Sequence, residues 1–305
     1  MAQTWLWFAF VVTVGGMLAV DLGLFQRRSH AVTFREAALW SAVWILLALA
    51  FGGAIWALEG RERAMLYFTA YVLEKSLSID NLFVFLVIFR FFRIGGEHQS
   101  RILHWGILGA VVMRFVFIYA GVAAVQSSRL VLYGFGVVLL WTGGKLLLAG
   151  DDPPSPEKSW ALRLLHRVLP VTESPHGQSF FTRVEGALYA TPLFAALLVV
   201  EASDLVFAVD SIPAALGVTP DLFLVYTSNI FAMLGLRALY FLLERSLAEF
   251  RYLKTGISLV LVYIGVKLLL QPWWHPATAL SLTVVAATLA ASIAASVAAE
   301  RDERL

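Results

Sequence analysis

Nine stretches of this chain stay apolar over the length a helix needs to cross a bilayer. They lie near residues 5–25, 38–58, 66–90, 102–125, 130–149, 185–212, 222–243, 255–271 and 277–299. Roughly 20 helical residues cross a hydrocarbon core about 30 Å thick. Each run is far longer than a membrane β-strand, which excludes a barrel. Composition agrees: 60% of residues are hydrophobic and 14% charged, about half the charged share of an ordinary soluble domain. Mean hydropathy is +0.78. Such a chain cannot cover its surface with polar groups. The pattern predicts an all-α polytopic membrane protein, one transmembrane domain over residues 1–305 with about nine helices and the lipid bilayer as its first partner. A net charge of +2, with no basic block interleaved with aromatics, excludes nucleic acid. The absence of cysteine removes disulfides, thiolate metal sites and cysteine nucleophiles together. The first run has the length of a signal peptide but neither a basic leader nor a small-residue cleavage site, and reads as a retained helix.

Orientation follows from the basic residues. With the N-terminus outside, the inner connections hold Arg27, Arg28, Arg35, Arg90, Arg93, Arg101, Lys158, Arg163, Arg167, Arg183, Arg245, Arg251, Lys254, Arg301 and Arg304. The outer connections hold only Arg61, Arg63 and Arg129. This asymmetry predicts N-terminus out and C-terminus in the cytoplasm. The longest connection, 150–184, opens with the polar, Pro-rich DDPPSPEKS and continues with WALRLLHRVL. The second part has the spacing of an amphipathic helix on the cytoplasmic face; the alternative is a structureless linker.

The chain also repeats itself. GFGVVLLWTGGKLLL (134–148) parallels GISLVLVYIGVKLLL (256–270), aligning Gly143 with Gly265 and Lys145 with Lys267. One helix earlier, Arg114 answers Arg237. One helix earlier again, Glu74, Asp80 and Asn81 answer Asp204, Asp210 and Ser211. Spans 3–5 (about 66–149) therefore correspond to spans 6–8 (about 185–271). Three spans followed directly by their copy enter the membrane from opposite sides. This predicts an inverted-topology repeat, the architecture of many secondary transporters, with a site at the repeat interface near the midplane.

The spans carry Asp21, Glu74, Asp80, Glu201, Asp204 and Asp210 against three deep bases, Lys75, Arg114 and Arg237. A charge at the bilayer centre costs about 2.5–3.5 kcal/mol on insertion scales, so the acids must face a protein interior. The three bases are read as counter-charges. The surplus of negative charge suits a bound cation or protonation, which together describe a proton-coupled cation site. Glu201 and Asp204 share a helix face. Glu74 and Asp80, like Asp204 and Asp210, are six residues apart and do not. Either those helices unwind locally, with Pro192 and Pro213 distorting the sixth span, or each acid serves a different side. Asn81, Ser76, Ser203 and Ser211 add neutral oxygens. The histidines fall in connections or at span edges, so the candidate ligands are all oxygen, which suits Mn²⁺, Mg²⁺ or Ca²⁺. Asp21, near the end of span 1, is read equally as a ligand or as structural.

EKSLSIDNLFVF, ATPLFAALLVVEASDLVFAVDSIPAALGVT and SNIFAMLGLRALYFLL closely resemble the TerC family of integral membrane proteins, in particular its Alx-like branch. The likeness runs from about Val20 to about Gln271. It implies export of divalent metal, chiefly manganese, from the bacterial cytoplasm across the inner membrane, and it points to Asp21, Glu74, Asp80, Glu201, Asp204 and Asp210. The expected activity is secondary export of Mn²⁺, with proton antiport as a candidate coupling. No organic cofactor is expected, and no nucleotide-binding G-x-x-x-x-G-K-[ST] motif is present. An enzyme is not expected, since no Ser–His pair or G-x-G-D loop lies within the spans. The alternative is a non-transporting scaffold whose acids only stabilise helix packing.

Overall fold

The computed structural model describes residues 2–25, 34–128, 130–148, 159–172, 177–184, 186–243, 252–274 and 276–303; for residues 2, 20–25, 79, 80, 83, 97, 210, 243 and 300–303 this covers the backbone alone. These residues form eleven helices and one hairpin: α1 (Ala2–Phe25), α2 (Phe34–Glu59), α3 (Arg61–Phe91), α4 (Gly96–Ser127), α5 (Leu130–Leu148), α6 (Trp160–Val168), β1 (Phe181–Val184), β2 (Ala187–Ala190), α7 (Pro192–Val218), α8 (Leu222–Leu234), α9 (Leu236–Leu243), α10 (Leu253–Leu269) and α11 (Thr278–Glu303).

Six stretches are helical, long and apolar enough to cross a membrane: Phe34–Glu59, His98–Ser127, Leu130–Leu148, Pro192–Val218, Leu222–Leu242 and Thr278–Ala299. The all-α membrane architecture thus stands on these six. The other three expected spans coincide with helices α1, α3 and α10. The 24-residue α1 is apolar over Gln3–Ala19, beyond which only its backbone is described. In α3, Glu74, Lys75 and Asp80 interrupt the apolar run of a 31-residue helix. α10 has 17 residues.

Helix directions can be read from contacts. Gly106 of α4 faces Leu197 and Val200 of α7, and Gly121 faces Ile212 and Leu216, so α4 and α7 run parallel. α3 and α8 also run parallel. Arg63 donates to Asp221 at their starts, and Lys75 donates to Ala232 further along. α5 and α10 run antiparallel along a glycine seam. A Cβ at Gly136 would lie 3.1 Å from the Gly265 carbonyl oxygen, and one at Gly143 would lie 3.0 Å from the Ser258 carbonyl oxygen. Backbones approach this closely only where side chains are absent. α3 packs on both α7 and α8, and α4 on the same two helices, so these four form the centre. Of the six, Leu222–Leu242 is the most enclosed, with 78% buried, and Thr278–Ala299 the least, with 17%.

Three local features depart from the expectations. Both α3 and α7 are continuous helices, with Pro213 accommodated inside α7, so the acids six residues apart are not on unwound segments. Residues 187–190, expected at the start of the sixth span, instead form β2, which pairs antiparallel with β1 through Phe181↔Ala190 and Val184↔Ala187. Gly186, at φ 84°, supplies the left-handed backbone of that tight turn. The helix starts only at Pro192, in the first-turn position that tolerates a missing N–H. The expected seventh span is broken at Gly235 into α8 and α9. In the connection, DDPPSPEK lies outside the described residues, and WALRLLHRV is the helix α6, packed on α7.

Candidate functional site

Arg114 is fully buried in the middle of α4. An arginine removed from water there is tolerable only if its charge and its five donors are answered. Three other helices answer it. From α7, Asp204 takes a fork: Nη2 donates to Oδ1 at 3.0 Å and Nε to Oδ2 at 3.3 Å. From α3, Glu74 accepts from Nη1 through Oε1. From α8, Asn229 accepts from the same nitrogen through Oδ1 at 3.1 Å. Planar two-point pairing of this kind is what guanidinium provides and ammonium does not.

The cluster is not balanced. One cation faces two buried carboxylates. Among the described residues, Glu74 Oε2, Ser78 Oγ, Ser211 Oγ and Asn229 Nδ2 are buried without a well-formed hydrogen bond. Ser78 is one turn beyond Glu74 on α3, and Ser211 of α7 is near enough to the Glu74 carboxyl to interact with it. Leaving buried polar atoms unmet costs about 1–3 kcal/mol each. A concentration of such atoms around a net negative charge is therefore a feature to be explained by function.

Glu201 extends the acidic surface. It sits one turn before Asp204, half-buried, and its carboxylate lies against the bare backbone of Gly109 on α4; a methyl group there would collide with it. Both acids of this pair face α4, as their three-residue spacing requires. Asn81 is buried on α3. Ser76 and Ser203 donate back to the carbonyls of Val72 and Val199, four residues earlier in their own helices. Asp21, Asp80 and Asp210 occupy helical positions in α1, α3 and α7, and their side chains lie outside the described residues. Among the described residues, no group of three or more His, Cys, Asp or Glu comes together closely enough to hold a metal ion.

The bases expected as counter-charges divide. Arg114 sits between Glu74 and Asp204, one acid from each of the two similar stretches. Lys75, next to Glu74 but turned about 100° from it around the helix, makes no ion pair among the described residues. It donates to the Ala232 carbonyl at 3.1 Å, in the last turn of α8, where the break at Gly235 disturbs the helical bonding. Arg237 is buried on α9, close enough to His104 of α4 for their charges to interact. The sequence reading missed Asn229 and Ser78. The run Thr227, Ser228, Asn229 inside an otherwise apolar span was the available signal. Thr227 and Ser228 spend their hydroxyls on their own helix, leaving Asn229 to reach Arg114.

Fold and site together define a class: a multi-pass α-helical membrane protein whose central helices converge on a buried, acid-rich cluster. Comparison with known proteins makes this specific. The model of the integral membrane protein TerC family matches residues 59–304, and the chain belongs to that family. It is 47% identical over 284 residues to an uncharacterized membrane protein of Myxococcus xanthus, covering 93% of this chain and 89% of that one. It is 44% identical over 293 residues to the Escherichia coli K12 protein named "Putative membrane-bound redox modulator Alx", covering 93% and 91%. It is 36% identical over 283 residues to an uncharacterized membrane protein of Rickettsia felis, covering 93% and 94%. No solved structure matches.

Proposed function

We propose that this protein is a secondary exporter of divalent cations, with Mn²⁺ as the first substrate, in the bacterial inner membrane. The observation that carries the reading is the unbalanced cluster: Glu74 and Asp204, from the two similar halves, share one arginine, and among the described residues Glu74 Oε2 is left without a well-formed hydrogen bond beside it. Asp80 and Asp210 continue the same two helices, and α3 packs against α7. A divalent ion would sit between these helices, held by Asp80, Asp210 and Glu201 with Glu74, Asp204, Asn81 and Ser211 beside them; Mg²⁺ and Ca²⁺ suit the same oxygens. Asp21 is a further candidate ligand.

Nine spans and an inverted repeat are part of this proposal. Shifting α5 by 122 residues onto α10 turns the contact between Gly136 and Gly265 into that between Gly143 and Ser258, and the contact of Gly265 with Leu140 into that of Gly143 with Val262. The parallel pairs α3–α8 and α4–α7 exchange in the same way. These directions suit an N-out, C-in arrangement in which each expected span crosses once. Export of a divalent cation against 100 mV, inside negative, costs about 4.6 kcal/mol, twice the single-charge value. Inward proton movement through the same carboxylates would supply it.

The test is Mn²⁺ flux in proteoliposomes under an imposed pH gradient. Gradient-dependent flux, lost in the Asp80→Asn, Asp210→Asn double variant with folding intact, supports the reading. Undiminished flux in that variant ends the site assignment. A second reading, a non-transporting scaffold, is favoured by the ion pairs of Arg114 themselves; it expects acid-neutralising variants to lower folded yield while no flux exists to change. The redox role printed in the name of the Escherichia coli relative could not operate here through thiols, because this chain has no cysteine.

A further inference from the structure

The helix α6 takes no part in the acidic cluster, yet its nine residues are sorted by environment around the whole circumference. Successive residues of a helix are about 100° apart, so positions four apart form a stripe. Ala161, Leu162 and Leu165 are buried, and α6 packs on α7. Beside that face, Trp160, Leu164 and Val168 form a second stripe, apolar and 50%, 54% and 75% exposed. Next comes a third stripe, Arg163 and Arg167, both exposed, and then exposed His166, which closes the circle back to the protein face. The order is protein, apolar and open, cationic, then polar. The helix carries no acid.

The position of α6 explains the order. The segment after it is tied to the start of a membrane-spanning helix: the Ala190 N–H donates to the Pro170 carbonyl and the Thr172 N–H to the Ala190 carbonyl, just before α7 begins at Pro192. α6 is thus held at the end of a span, at the depth where the hydrocarbon core gives way to headgroups. A helix at that depth, docked sideways on a bundle, has protein on one side, acyl chains beneath, headgroups along its outer edge and water above. That sequence of surroundings matches the four faces in order. Large exposed apolar side chains beside paired arginines are the pattern of an interfacial helix on an anionic membrane, and arginine pairs well with phosphate oxygens.

We infer that α6 is a membrane-binding surface for anionic phospholipid: Trp160, Leu164 and Val168 enter the acyl region, and Arg163 and Arg167 bind headgroup phosphates at its edge. The surface serves any cargo equally and does not depend on the transport reading. A second copy of the chain is the competing occupant, and charge argues against it, since a two-fold contact through this face would bring the same arginines together.

Because the chain has no cysteine, single nitroxide labels report the faces directly in the full-length protein. The Leu164→Cys and His166→Cys variants are labelled and reconstituted into vesicles of phosphatidylcholine, or of phosphatidylcholine and phosphatidylglycerol in equal parts. The expected result is a label at 164 relaxed by dissolved oxygen and shielded from a water-soluble nickel chelate, with the opposite order at 166. The anionic lipid raises the contrast at 164, and adding Arg163→Gln and Arg167→Gln abolishes that rise. Equal nickel access at 164 and 166 in both lipids overturns the proposal. So does dipolar broadening at 164, the signature of a second copy, or an anionic-lipid response that survives in the double glutamine variant.

Discussion

Arg114 and Arg237 occupy matching places in two similar stretches of the chain, and the structure treats them differently. Arg114 is enclosed by Glu74, Asp204 and Asn229 from three helices. Arg237 lies beyond the break at Gly235, on α9, in the neighbourhood of His104. The glycine seam between α5 and α10, by contrast, has closely matching contacts on its two sides. Apolar helix packing is thus alike on the two sides of the seam, while the two arginines stand on differently built helices, one continuous and one starting after a break.

The comparison is broken most severely at its centre. Arg114→Ala leaves Glu74 and Asp204 buried without a partner, and loss of about 3–5 kcal/mol is expected, read as a collapse of folded yield or of the thermal transition in detergent. Asn229→Leu removes one charged hydrogen bond and should cost about 1.5–3 kcal/mol, an effect that shrinks to near zero in an Arg114→Met background if the bond is its cause. In the seam, Gly143→Ala and Gly265→Ala each force a methyl to about 3 Å from backbone atoms of the facing helix, and about 1–3 kcal/mol of overpacking is expected. The two values should agree closely, and a large disparity would refute the matched geometry. The smallest effect belongs to the N-terminal end of α3. Arg63 pairs with Glu59 at 2.7 Å and with Asp221 at 2.6 Å but is a third exposed. Arg63→Ala should therefore cost no more than about 1 kcal/mol and lose even that in high salt.

Much of this was legible before the structure. Apolar run length located the helices, and the cost of an intramembrane charge singled out Glu74, Asp204, Glu201 and Arg114 as residues facing an interior. Other features were not legible, for physical reasons. Helical spacing tells which residues share a face, but not which neighbouring helix that face meets, so Lys75 and Arg114 looked alike as counter-charges. The distinction comes from the break at Gly235, whose φ of −79° any residue could adopt, so nothing in the local sequence announces it. The hairpin before α7 was hidden because ALYA is as apolar as a span. Only the positive φ required of Gly186 betrays a turn, and that is a property of backbone geometry.

The missing side chain at Gly109 has its own consequence. The glycine faces the Glu201 carboxylate across van der Waals distance, and it carries no charge. A series Gly109→Ala, →Ser, →Val would displace that carboxylate by graded amounts while every ionisable group of the protein is retained. Position 109 is in effect an adjusting screw. It allows the placement of an acid to be varied separately from its presence, a separation that substituting the acids themselves cannot achieve.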